Sequence, residues 1–319
     1  MLTGGLSFPH HILANDMLNN RTQLLKQLLQ QQIAPSAFAN AEFNDFSFRS
    51  SSSGSQYNNY DGQSQNFSLG EISHKIGKRL EAGASLHGGF AKSSGRSFLT
   101  GGTPNGFNQA TDSLGVRGRL TFKMSAAIPA YLTLFANYIN NHTRTTTIIN
   151  EGLATEQRGN TTYDGHNLNF GFNIKRHYIT DKWLFLAAAG YAYATSSQNP
   201  YTVNVAGINI NTPSLTMSQH NFTESIQAYY QYKPNIVPYT SISFNQGLDR
   251  RYNRNVNAAV LSSSVNAPRF QTSLYGVVVG GGVTYQYKQF AITPSYHYQA
   301  QGKEFHNHAF ALQAAMKLY

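Results

Sequence analysis

Cysteine is absent from the 319 residues, which removes disulfide frameworks, Cys-ligated metals and thiol chemistry while permitting export without demanding it. Charge is scarce. Only 12% of residues are Asp, Glu, Lys or Arg, against the roughly 25% usual in soluble domains. No run of about 18 apolar residues occurs and mean hydropathy is −0.38, so a helical membrane protein is excluded. A transmembrane β-barrel passes that test, because its strands alternate lipid-facing apolar with lumen-facing polar residues and average to a mildly polar sequence. Residues 1 to 13 lack the basic start and apolar core of a signal peptide, so either the exported precursor was longer or this is an excised domain, and the second is the expectation. What is abundant fits strands that meet lipid on one side: aromatics make up 13%, and Gly, Asn, Gln, Ser and Thr fill much of the rest.

Two periodicities divide the chain into a segment 1–40 and a barrel 41–319. In the first, Ala14, Met17, Leu18, Leu25, Leu28, Leu29 and Ile33 recur at helical spacing and Pro35 follows, which predicts one amphipathic helix over about 14–33. From about residue 41 the period is two. Val116, Leu120, Phe122 and Met124 alternate with Arg117, Arg119, Thr121 and Lys123. His166, Leu168, Phe170, Phe172 and Ile174 alternate with Asn167, Asn169, Gly171, Asn173 and Lys175. Leu80, Ala82, Ala84, Leu86 and Phe90 repeat the pattern, as do Tyr275, Val277, Val279, Val283 and Tyr285. In Trp183, Phe185, Ala187, Ala189, Tyr191 and Tyr193 the rings stand at both ends with small residues between, as in the aromatic girdles of a membrane barrel.

Such segments fall near 41–50, 65–76, 79–91, 113–124, 128–141, 163–176, 182–195, 219–232, 236–248, 273–287, 289–299 and 305–319. Long polar connections are expected after the first, third, fifth, seventh and ninth strands and turns of a few residues after the second, fourth, sixth, eighth and tenth, with the short turns on the periplasmic side; the last connection, around Ala300 to Glu304, is short for an outer loop. The expected fold is all-β, a 12-stranded antiparallel transmembrane β-barrel with the N-terminal α-helix in its lumen. A soluble β-sandwich or lectin-like protein is the rival, but its strands are usually shorter and no soluble core needs twelve wide apolar faces with aromatic ends.

Several segments carry a family resemblance. Tyr163-Asp164-Gly165-His166-Asn167-Leu168-Asn169-Phe170-Gly171 resembles the aromatic-Asp-Gly entry into an alternating strand found in autotransporter β-domains. Val237-Pro238-Tyr239-Thr240-Ser241-Ile242 and Ile292-Thr293-Pro294-Ser295-Tyr296 resemble that family's Pro-aromatic strand starts, and Ser113-Leu114-Gly115-Val116-Arg117-Gly118-Arg119-Leu120 is similar to another of its strands. The chain thus resembles the C-terminal translocator domain of an autotransporter, a type V secretion system of Gram-negative outer membranes. The resemblance implies a monomeric barrel that anchors in lipid and lipopolysaccharide, is inserted by the barrel-assembly machinery and assists export of its own N-terminal passenger, with no cofactor, no metal and no nucleic acid. It also implies an assembly signal in the last strand, here Phe310, Leu312, Met316 and Leu318 with the terminal Tyr319. The second functional reading is a stand-alone outer-membrane channel, porin-like, with a basic, anion-favouring lumen.

The basis for that second reading is the set of charges expected on the inner face: Arg79, Arg117, Arg119, Lys123, Lys175 and Lys317, against Glu81. A positive lumen favours anions. Lipid avoidance alone explains where the charges sit, since Arg or Lys on the outer face costs about 2–4 kcal/mol at the midplane, but not their sign. Four more, Arg250, Arg251, Arg254 and Arg269, are expected in one outer loop. No catalytic set is expected. The pair Asn19-Asn20 matches only the dipeptide at which some autotransporters cleave their passenger, and this chain is rich in Asn. His306 and His308 stand at i, i+2, a chelating spacing that lacks a third ligand.

Overall fold

The computed structural model describes residues 39–52, 56–98, 105–124, 130–254, 275–287, 290–303 and 305–316. Among them every regular element is a strand: β1 Ala39–Ser52, β2 Gln56–Ile76, β3 Leu80–Phe98, β4 Asn105–Lys123, β5 Ala130–Ile149, β6 Gln157–Ile179, β7 Trp183–Gln198, β8 Tyr201–Val205, β9 Ile208–Thr212, β10 Leu215–Tyr230, β11 Ile236–Arg254, β12 Tyr275–Tyr287, β13 Phe290–Gln301 and β14 Phe305–Met316. Twelve of them form one closed barrel in the order β1-β14-β13-β12-β11-β10-β7-β6-β5-β4-β3-β2, and β8 with β9 forms a separate hairpin. Closure leaves no sheet edge with unpaired N–H and C=O groups, the condition for placing β-structure in lipid. It is made by Ala39 to Phe48 of β1, antiparallel to Phe305 to Ala314 of β14.

One part of the expected fold class is corrected. The described architecture is β-strand throughout, without a lumenal helix, and the stretch 14–33 expected to form one lies outside the described residues. Helical spacing is only a local signal, and most helical stability comes from tertiary packing that the spacing does not reveal.

The alternation seen in sequence becomes two faces. On β4 Leu114, Val116 and Leu120 are exposed while Arg119 and Thr121 are buried; on β6 Phe170, Phe172 and Ile174 are exposed. This exposed apolar surface continues through Leu86, Leu134, Phe185, Ile226, Phe244, Val279, Ile292 and Phe310. A soluble protein does not leave a belt of that extent in water. At its lower rim Trp183 stacks on Phe185 and tilts against Tyr230, forming part of an aromatic girdle.

Several strands run further than their apolar pattern. β2 starts at Gln56, β3 ends at Phe98, β4 starts at Asn105, β5 ends at Ile149 and β6 starts at Gln157. These additions lie above the apolar band, where both faces are polar and alternation disappears, while runs such as Thr145-Thr146-Thr147 still favour extended backbone. The connection after β1, expected to be long, is only residues 53–55. Arg250, Arg251 and Arg254, expected in a loop, belong to β11 and pair with β10; Arg269 lies outside the described residues. The β5–β6 loop is tied by Glu156, which accepts from the Gly152 amide and the Arg158 guanidinium. Both hold its carboxyl below the usual carboxylate range.

The β8–β9 hairpin was not expected. Its turn places Ala206 and Gly207 at positive φ, the pair of conformations a two-residue hairpin loop requires. Val203 and Val205 are buried, and Tyr201 stacks on Tyr163 of β6 at 4.5 Å. Gly159 makes this fit possible, since a Cβ there would lie 2.3 Å from the Asn204 carbonyl oxygen and 2.6 Å from Val205. Gly159→Val is therefore expected to detach the hairpin while the barrel survives. Limited proteolysis should then nick near Ala206-Gly207 with heat-modifiable gel migration unchanged; an uncut hairpin would show that the close approach is not needed.

Candidate functional site

The inner face has two contrasting walls. On one, β4 brings Arg117 and Arg119 onto the face opposite Val116 and Leu120. Arg119 donates to Glu81 of β3 at 2.8 Å and to Thr121 at 2.9 Å, and Thr121 bonds Thr133 of β5 at 3.1 Å. The pair is removed from solvent, with the Arg119 side chain 1% and the Glu81 side chain 14% exposed. Arg117 lies 5.9 Å above the Phe135 ring, and His87 bonds the Asn137 side chain. Beside them β6 presents Asn169, Asn173 and Lys175 on the same face; the Oδ1 atoms of both asparagines are buried without a hydrogen-bond partner among the described residues.

The facing wall is small and neutral. On β12, which lies across the ring from β4, Gly276, Gly280 and Gly282 share the inner face with Thr284, which bonds Thr293 of β13 at 3.0 Å. A Cβ at Gly280 would overlap the His297 ring. Cationic groups on one side and glycines on the other make a lumen whose field is lopsided across its width.

Toward the short-turn end the inner face turns apolar. Leu184, Leu186, Tyr229, Val237 and Tyr239 form a buried cluster, with Tyr131 and Ile179 packed against it. Tyr229 stacks on Tyr239 at 5.1 Å and its hydroxyl donates to Gln227. Sequence reasoning missed this layer, because Leu184 and Leu186 lie between Trp183, Phe185 and Ala187 and the segment reads apolar on both faces.

Of the other expected site residues, Arg79 is exposed in the turn before β3, where its carbonyl accepts from the Lys123 amide. Lys123 is exposed at the end of β4. The two sit at the short-turn end, beyond Arg119 and Arg117 along β4, with Lys123 level in register with Lys175 two strands away. Phe310 and Leu312 are exposed on the outer face of β14, and Met316 is its last residue. Asn19, Asn20, Lys317, Leu318 and Tyr319 lie outside the described residues. His306 and His308 are on the outer face, and no cluster of three or more metal-ligating side chains occurs among the described residues.

At the level of sequence, neither a family model nor a curated protein matches the chain. Solved structures do match. The translocator domain of the autotransporter NalP from Neisseria meningitidis superposes with a TM-score of 0.65 at 14% identity, over 89% of this chain and 88% of that one. The transport unit of AIDA-I from Escherichia coli gives 0.57 at 13% identity, covering 95% and 93%. The β-domain of the Bordetella autotransporter BrkA gives 0.52 at 13%, covering 88% and 100%. The chain is an outer-membrane β-barrel that resembles autotransporter translocator domains. The likeness extends over nearly the whole of each partner, so the shared feature is the complete barrel.

Proposed function

We propose that the barrel is a translocator, anchoring in the outer membrane and assisting an N-terminal passenger to the cell surface. The observation that carries this reading is a complete twelve-stranded closure together with the match to NalP over almost the full length of both chains. Twelve strands place the lumen between eight-stranded barrels filled by side chains and sixteen-stranded porins with an open channel. The outward Phe310 and Leu312, with Met316, Leu318 and Tyr319, are proposed to present the last strand to the barrel-assembly machinery.

A second reading, a stand-alone channel, is supported by the cationic side chains of Arg117 and Lys175 on the inner face, which favour anions whichever role the barrel has. One experiment separates them. A signal peptide and an epitope-tagged reporter are placed upstream of Met1, and whole cells are probed with antibody and protease. Surface display of the reporter is expected. A folded, heat-modifiable barrel whose reporter stays in the periplasm would overturn the translocator reading and leave the channel.

A further inference from the structure

A single side-chain pattern recurs on the outer face. In each instance a tyrosine on a strand running outward meets a histidine on the next strand, two residues further out than the residue directly opposite. Tyr138 is opposite Leu168 and stacks on His166 at 6.0 Å. Tyr191 is opposite Phe222 and its hydroxyl is hydrogen-bonded to Nδ1 of His220. Tyr296 is opposite Phe310 and its hydroxyl is hydrogen-bonded to Nδ1 of His308 at 2.8 Å; Tyr298 is opposite His308 and its hydroxyl is hydrogen-bonded to Nδ1 of His306 at 2.6 Å. Three separate strand pairs thus carry the pattern.

Depth gives it meaning. A rise of about 3.3 Å per residue on strands tilted by about 40° lifts the chain roughly 2.5 Å per residue. The climb from Trp183 to Tyr193, or from Tyr230 to His220, is then about 25 Å, the height of the apolar band of such barrels. The pairs therefore mark the outer boundary of the membrane, where lipid headgroups lie. At His220, His306 and His308 the tyrosine hydroxyl is bonded to Nδ1; in the tautomer where that hydroxyl is the donor, Nε2 carries the ring proton and can donate outward.

The charges around them are largely matched. Asp164, two residues beyond His166, is paired with His142; Asp112 is paired with Arg144; Asp249, opposite His220, is paired with Arg251. Asp45 stands opposite His308, and Ser47 opposite His306. Lys92 and Arg144 line, with Asp45 and Asp61, a concavity of about 1320 Å³ in the strand extensions just above. With Asp112 and Asp249 paired to arginines and Asp164 hydrogen-bonded to His142, the collar offers imidazole donors at headgroup height. The ligand that meets such donors at that depth is a phosphate ester.

We propose that His166, His220, His306 and His308, each set by its tyrosine, form a collar that binds the phosphate groups of an outer-leaflet glycolipid. The proposal rests on the outer-membrane placement and is independent of passenger export. The full chain, refolded in detergent, is titrated with vesicles containing bisphosphorylated lipid A or its dephosphorylated form. About tenfold weaker binding to the dephosphorylated lipid is expected, with a similar loss when all four histidines are changed to Gln, on the scale of one charge-assisted hydrogen bond. Equal binding of both lipids by the native protein overturns the proposal. Loss of lipid A binding in millimolar inorganic phosphate would assign the collar to free phosphate and overturn the lipid assignment. If the fourfold variant fails to fold, the histidine ¹⁵N shifts of the native barrel decide: they should move on exchanging one lipid for the other, and unmoved shifts overturn the proposal. Export of the reporter is expected to continue in the fourfold variant, so failure of the collar and failure of the translocator reading give different results.

Discussion

Tyr229→Ala is expected to destabilise the barrel by about 3–5 kcal/mol, the range for removing a large ring from a packed interior. Tyr229 is 1% exposed although it faces the inside of the barrel, so its ring is enclosed by protein and not by lumenal water. Its neighbours Leu184, Leu186, Val237 and Tyr239 come from the two flanking strands, β7 and β11, whose fixed backbones limit how far they can close over the space a lost ring would leave. Unfolding by urea in lipid vesicles, followed by loss of heat-modifiable migration, gives the midpoint. A midpoint close to that of the native protein would mean that the inner apolar layer collapses readily around the gap. Tyr229→Phe separates the hydroxyl from the ring: only the bond to Gln227 is lost, and about 1 kcal/mol is expected.

The second large effect belongs to the ion pair on the opposite side. Glu81→Leu should cost about 3 kcal/mol, because it leaves the enclosed Arg119 guanidinium without its carboxylate. The cost stands near the lower end for such pairs, since Thr121 still accepts from Arg119. Changing both residues, Glu81→Leu with Arg119→Met, should be less harmful than the single change, because no buried charge remains to be matched. The same unfolding measurement tests both. A double variant as unstable as the sum of two singles would show that the pair acts as two independent packing groups.

The part of this architecture legible in sequence was the part where one face is apolar and the other is not. Val116 to Lys123 and His166 to Lys175 could be assigned to faces by parity alone, because a one-residue slip would reverse every side chain. The upper halves of β2 to β6 could not, since Ser93, Asn108 and Thr145 resemble their neighbours on either face. The inner apolar layer was hidden for the opposite reason: around Leu184 and Val237 both faces are apolar, and only closure decides which one looks inward. Pairings across strands were beyond parity altogether. Glu81 and Arg119 were both expected inside, yet their contact depends on the β3–β4 register, which sets Gly83 opposite Arg119 and Glu81 opposite Thr121. The tyrosine–histidine offset likewise exists only once register is known.

The ring order has a consequence for how the chain finds its fold. Allowing for the inserted hairpin, every strand is bonded to its successor in sequence, except that β14 must also meet β1. Hairpins between successive strands close over short loops, whereas Ala39 and Ala314 are brought together across nearly the entire chain. Loop-closure entropy rises by about 0.6 kcal/mol for each doubling of loop length. The last interface therefore begins roughly 4 kcal/mol behind a hairpin whose loop is about six doublings shorter. It is recovered only if the other eleven interfaces already hold the two ends near one another. Growth of the sheet can thus proceed by local zipping in any order, but conversion of a curled sheet into a ring is a single event that waits for all of it. Defects anywhere along β2 to β13 should accordingly appear in kinetics as slow closure before they appear as a missing strand.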